Sequence, residues 1–163
     1  MTNIEEYITK FNDDLVEDEC NPISDNVRQL IIDLNELSSI HKNHFEALCR
    51  ALIDLNGADY KIVPWKKKLW LESLRSGKYP QTQNFLKTAS CDYCCLGVYA
   101  EVVDDVEWLD GGTYYYFEVD GGTYEGSLTH DHELSKVQSE LISLNDDANL
   151  NFEQIALVVE KLL

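Results

Sequence analysis

The side chains best suited to chemistry gather in two stretches. Cys91-Asp92-Tyr93-Cys94-Cys95 contains a C-x-x-C pair, and His130 and His132 follow after a turn-rich segment. Cys91, Cys94, His130 and His132 would make a tetrahedral zinc set, because soft thiolate sulfur and borderline imidazole nitrogen suit that ion. A single cysteine pair is a sparse set, however, and His-x-His spacing meets a metal only from a strand or loop. Free cysteine is also among the most buried residue types. Cys94 and Cys95 therefore read better as small apolar residues at a helix start, and no cofactor is expected. A redox use of the pair would need a strand before it and a helix after it, and the basic, polar stretch ahead of Cys91 makes a poor strand. Cys94 or Cys95 acting with His130 or His132 as a nucleophile and base completes the enzymatic alternative, although no oxyanion motif accompanies it. His41 and His44 are i,i+3 neighbours and read as a polar surface pair. Residues 146–151 lack the central Gly and terminal Glu of a calcium loop, so a helix-to-helix turn is expected there. Gly111-Gly112 and Gly121-Gly122 lack the Lys and Ser/Thr of a phosphate loop.

Charge sets these residues in context. The chain has 163 residues, 30 acidic and 13 basic, for a net charge of −17. The imbalance is uneven: residues 1–60 carry −9, residues 61–90 carry +6, and residues 91–163 carry −14. Such a surface repels nucleic acid and anionic membrane and favours basic partners. The acidic start of the chain, without a basic n-region or an apolar core, is unlike a signal peptide. Five cysteines, an odd count, argue against a disulfide framework. A cytoplasmic protein is expected, with no direct nucleic-acid or membrane contact.

The elements that must hold these residues can be read from periodicity and caps. Thr2 and Glu5 form a capping-box pattern, followed by Ile4, Tyr7, Ile8, Phe11 and Leu15 at helical spacing to about Glu19. Ser24 or Asp25 caps a second helix with Val27, Leu30, Ile31, Leu34 and Leu37 on its buried face. A third helix is expected from Ser39 to Leu55, stopped by Asn56-Gly57. Trp65 opens a short helix with Trp65 and Leu69 turned inward, Trp70, Leu71 and Leu74 as further candidates for that face, and Lys66, Lys67 and Lys68 in its first turn, where cations oppose the helix dipole. Asp92 caps another helix through residues 93–103. Residues 106–109, 113–119 and 123–128 read as short strands joined by two Asp-Gly-Gly turns. Leu134, Val137, Leu141 and Ile142 mark a further helix, and Asn151 caps the last one. The expectation is an α+β chain: an N-terminal three-helix unit, a helical segment, a small antiparallel β meander and two C-terminal helices. It divides into an acidic helical unit, 1–56, and an α+β domain, 65–163.

Two acidic groups are candidate partner-binding surfaces. Asp13, Asp14, Glu17, Asp18 and Glu19 stack at the end of the first helix, where acids oppose the dipole. Asp104, Asp105, Glu107 and Asp110 approach the aromatic strand, whose Tyr114 and Tyr116 share one face and supply the residue type enriched at protein interfaces.

Trp70–Gln81 (WLESLRSGKYPQ), Cys94–Val98 (CCLGV), Leu144–Asp146 (LND) and Phe152–Ile155 (FEQI) form a recurring pattern. In these motifs residues 65–163 resemble a family of small uncharacterised bacteriophage and prophage proteins. That resemblance implies a phage or mobile-element origin, with the acidic unit 1–56 as an added element. With the charge, it leads to an expected function. The chain is expected to be a non-enzymatic acidic inhibitor of a basic, nucleic-acid-handling host defence factor in the bacterial cytoplasm. The target would be a CRISPR effector or restriction enzyme, met by nucleic-acid mimicry. A metal-binding or Cys/His-dependent enzyme module and a structural or housekeeping phage protein are the alternatives.

Overall fold

The computed structural model describes residues 3–18, 20–112, 114–119, 122–124 and 132–163. Those residues are mostly helical, in seven α-helices. Helices α1 (Ile4–Glu17), α2 (Asp25–Leu37) and α3 (Phe45–Gly57) come first, then α4 (Pro64–Leu74) and α5 (Cys95–Val102). Helices α6 (Gln138–Asp146) and α7 (Phe152–Leu162) close the chain.

The N-terminal helices form where their apolar stripes and caps place them, with local shifts. Asn3 stands at the N-cap of α1 without a side-chain bond, and Thr2 lies outside the described residues. Ser24 caps α2 as expected, its hydroxyl accepting from the Val27 N–H at 3.4 Å. Leu37, expected inside, is exposed. The chain turns after α2, where Asn35 Oδ1 accepts from the Ile40 N–H at 3.0 Å, and Ile40 enters the core instead. The same competition delays α3. His41 Nδ1 accepts from the Asn43 N–H at 3.3 Å, so residues 42–44 form a 3-10 turn and the α-helix begins at Phe45, six residues later than expected.

Helix α4 is rotated from its expected facing. Trp70 is 0% exposed and Leu74 is buried, while Trp65 is 59% and Leu69 36% exposed. A buried indole N–H needs a partner. Trp70 Nε1 finds one in the Cys95 carbonyl at 2.9 Å and meets the Tyr99 ring edge-on at 5.1 Å. That register turns Trp65 and Leu69 to solvent. Helix α5 starts at Cys95, capped by Cys94, whose sulfur accepts from the Gly97 N–H at 3.4 Å. Asp92, the expected cap, bonds Thr88 instead. Gly97 is required by close approach: a Cβ there would lie 1.7 Å from the Leu86 carbonyl oxygen.

Strand content is small. β1 (Lys87–Thr88), β2 (Leu109–Asp110) and β4 (Gly122–Tyr124) each pair antiparallel with β3 (Tyr114–Val119). The first expected run, 106–109, contributes only Leu109 to a strand. Residues 125–128 of the third lie outside the described residues. Lys87 fastens this end of the molecule. Its ammonium lies 5.1 Å from the Tyr93 ring, 5.2 Å from Trp108 and 5.0 Å from Tyr115, with the Glu101 carboxylate at 3.7 Å.

One hydrophobic core joins the first three helices to the rest. Buried Gln154 on α7 donates both amide protons to α2, at the Leu34 carbonyl (2.8 Å) and the Ser38 carbonyl beyond it (2.9 Å). The Leu34 carbonyl also accepts from the Ser38 N–H at 3.1 Å, so Gln154 fastens the last turn of α2 from outside the helix. Asn151 caps α7 with a reciprocal box: its Oδ1 accepts from the Gln154 N–H at 2.9 Å, and Gln154 Oε1 accepts from the Asn151 N–H at 3.1 Å. Residues 146–151 make the expected helix-to-helix turn.

Candidate interaction surface

The cysteines and histidines are not assembled into a zinc set among the described residues. Cys94 caps α5. Cys95 is buried and donates to the Leu141 carbonyl at 3.6 Å. Cys91 is exposed, and His130 lies outside the described residues. Burial pushes the Cys94 thiol up to about 12, despite the opposing backbone N–H contacts, and pushes Cys95 well above its ordinary value. A thiol held protonated in this way is a poor nucleophile and a poor metal ligand at neutral pH.

His132 belongs to another cluster, with Asp104 and Glu133. His132 and Glu133 are neighbours in sequence, but Asp104 lies 28 residues earlier, so no local motif signals their meeting. The donor set suits a divalent ion by type, but its bonding does not. His132 Nδ1 accepts from the Leu134 N–H at 3.0 Å, so in the neutral ring the proton sits on Nε2. That nitrogen donates to Asp104 Oδ2 at 2.7 Å. Ligation through Nε2 would drive the proton to Nδ1, against the Leu134 N–H. Glu133 is engaged as well, by the Lys66 ammonium at 2.6 Å and by the Tyr99 hydroxyl. Burial raises the Glu133 carboxyl, but Lys66 and Tyr99 outweigh it and hold it below the usual carboxylate range. The cluster is a charged clasp between α4, α5 and the segment before α6.

The basic stretch is likewise used inside the molecule. Lys61 donates to the Leu162 carbonyl at 2.5 Å and Lys67 to the Glu160 carbonyl at 3.0 Å. Both therefore sit on the C-terminal turn of α7, where cations complement the dipole. Arg75 bridges Glu153 at 3.3 Å and Glu160 at 2.9 Å. Lys68 pairs with Glu72 at 3.8 Å. Of the seven basic residues in 61–90, Lys78 has no such partner among the described residues. Of the lysine run at the start of α4, Lys66 thus serves Glu133 and Lys67 serves α7, while Lys68 pairs within α4.

The acidic end of α1 has the opposite character. Asp13, Asp14, Glu17 and Asp18 are all exposed, and none of their carboxylates takes part in an ion pair or side-chain hydrogen bond among the described residues. Glu19 lies outside those residues. Asp13 with Glu17 and Asp14 with Asp18 are like-charge i,i+4 pairs, unfavourable in themselves and worse at a helix C-terminus. Val16, 61% exposed, stands among them.

The second acidic group divides. Asp104 is bonded to His132, and Asp110 accepts from the Gly112 N–H at 2.7 Å in a local turn. Asp105 and Glu107 are exposed and make no such bonds among the described residues. The backbones of Tyr114 and Tyr116 lie in β3, paired with Thr88 and Leu109. Their side chains fall outside the described residues.

Three of the sequence motifs singled out above, through Gln81, Cys95 and Asp146, meet around one buried amide. Asn145 Nδ2 donates to the Thr82 carbonyl at 2.8 Å and to Asp146 Oδ1 at 2.6 Å. Its Oδ1 accepts from Gln81 Nε2 at 3.0 Å and from the Cys95 N–H at 3.4 Å. These positions hold the loop 78–86 between α5 and α6, and their chemistry is structural. A family model described as a domain of unknown function (DUF8296) matches residues 64–127. That stretch contains α4, α5, Gly97 and the Lys87 cage but neither α1 nor α7. No curated protein matches the chain, and no solved structure does.

Proposed function

We propose that the protein is a non-enzymatic acidic inhibitor. Its acidic surface would occupy a basic, nucleic-acid-handling host factor, of the CRISPR-effector or restriction-enzyme type, by imitating the charge of nucleic acid. A phage or mobile-element origin and a site of action in the bacterial cytoplasm belong to the same proposal. The observation that carries it is the carboxylate stack at the end of α1: four exposed acids, without an ion-pair partner among the described residues, that disfavour their own helix. The internal use of the basic stretch supports it, because Lys61, Lys66, Lys67 and Arg75 are committed to α7 and Glu133. The active-site alternative is weakened by the buried, protonated thiols. No helix among the described residues is long and apolar enough to cross a membrane. Within this reading β2, β3 and β4 act as a small meander that presents Asp105 and Glu107 as a secondary contact.

The test adds the purified protein to DNA-cleavage reactions of host restriction enzymes and CRISPR effectors. Inhibition should weaken as salt rises and as excess uncleavable duplex is added. Inhibition that survives both, or micromolar binding of the protein itself to random duplex DNA, contradicts charge mimicry.

A further inference from the structure

A cleft of about 510 Å³ opens between the 3-10 turn before α3, the loop 81–83 and the turn joining α6 to α7. Its size falls in the range of small-molecule sites. No charged side chain lines it when its two histidines are neutral.

The hydrogen bonds made by its walls dictate what they can still offer. A carbonyl oxygen can only accept, so His44, whose Nδ1 lies 2.7 Å from the Asp147 carbonyl, carries its proton there and leaves Nε2 as a free acceptor. His41 is the mirror case. Its Nδ1 accepts from a backbone N–H, so Nε2 carries the proton and is a free donor. The two rings stand 5.9 Å apart.

Side-chain amides continue the alternation. Gln83 Nε2 faces the Asn145 and Asp146 carbonyls at 3.3 Å and Asn149 Oδ1 at 2.9 Å, which leaves Gln83 Oε1 as an acceptor. Asn149 and Asn151 both spend Oδ1 on the fold, which leaves their NH₂ groups as donors. These remaining atoms have no partner among the described residues.

The geometry points to a binding site for an uncharged, polyhydroxylated ligand of one- or two-sugar size. A hydroxyl both donates and accepts, and so matches a wall that alternates the two. An anion finds no cation here and meets a strongly acidic protein. A nucleobase finds no carbocyclic ring to stack on. The site lies apart from the acidic end of α1 and does not depend on the proposed inhibition.

The test titrates the full-length protein with N-acetylglucosamine, followed by NMR of the His41 and His44 ring signals and the Asn149 and Asn151 side-chain amides. Saturable shifts of all four are expected, at millimolar affinity. N-acetylglucosamine 6-phosphate should bind at least tenfold more weakly. His44→Ala and His41→Ala should each weaken the sugar at least tenfold in a folded protein whose thermal midpoint falls slightly, since each also loses its bond to the Asp147 carbonyl or the Asn43 N–H. Should either variant be unfolded, Ser39→Ala and Asn151→Ser report on the same walls. A variant neutralised at Asp13, Asp14, Glu17 and Asp18 should bind the sugar like the parent. Absence of saturable shifts, equal binding of the phosphate, or preference for adenosine overturns the assignment.

Discussion

Gly97 shows how one residue can carry an interface. Its missing Cβ lets the Leu86 backbone rest on α5, and Gly97→Ala should destabilise by about 1–3 kcal/mol through overpacking, measured by urea unfolding. Asn145 is the polar counterpart. Asn145→Ala strands the Thr82 carbonyl and the Cys95 N–H, at a cost of about 1–3 kcal/mol for each group left unsatisfied, while Gln81 keeps its bond to the Leu150 carbonyl. The thiols divide by burial: Cys20 and Cys91 are exposed and Cys49, Cys94 and Cys95 are buried. In the native protein, titration with a thiol reagent should find two fast cysteines and three that react only on unfolding. Glu133 adds a pH dependence. Its folded carboxyl is held below the ordinary value of 4.5, so its stabilisation is full above that pH and is lost as pH falls through the lower folded value. Replacing Lys66 with Met should flatten that part of the acid-unfolding curve. The role of Asn145 is visible in the sequence only as a residue type, because the Gln81, Thr82 and Cys95 groups it bonds lie on other elements.

Among the elements, α1, α2 and α7 were legible because their apolar stripes and their caps, Ser24 and Asn151, are local signals. The face of α4 was not. Its orientation depends on a carbonyl 25 residues away, and spacing alone does not separate Trp70 and Leu74, which are buried, from Trp65 and Leu69, which are not. The difference is measurable: Trp70→Ala should cost about 3–5 kcal/mol, while Trp65→Ala should stay within about 0.5 kcal/mol. The start of α3 was misplaced because Asn35 and His41 take backbone protons that a helix would use. The acidic end of α1 was legible because like charges at helical spacing need no distant partner to be noticed. Changing Asp13→Asn, Asp14→Asn, Glu17→Gln and Asp18→Asn together removes two repulsive pairs and the conflict with the dipole. Stability should rise by about 0.5–1 kcal/mol, seen as a higher unfolding midpoint at unchanged denaturant slope.

At the scale of the whole molecule, the charge pattern invited a division into acidic and basic segments, but the fold reassigns it. The basic stretch 61–90 neutralises the end of α7 and Glu133, so net acidity is what the molecule presents outward. That use was hidden from the sequence because Lys61 and Lys67 meet carbonyls about a hundred residues further on. The shared core and the Gln154 bonds to α2 also predict that residues 3–57 unfold together with the rest in one cooperative transition, checked by coincident far-UV and tryptophan signals. The central claim, that the end of α1 recognises a basic host factor, is tested most directly by affinity capture from bacterial host lysate. Parent and quadruple-neutralised protein are compared at low and physiological salt, with and without duplex DNA as competitor. The account predicts that the parent retains a basic nucleic-acid-binding protein, released by salt and by DNA, and that the quadruple variant retains much less of it. Equal retention by parent and variant at every salt concentration would contradict it and reduce the acidity to a means of solubility.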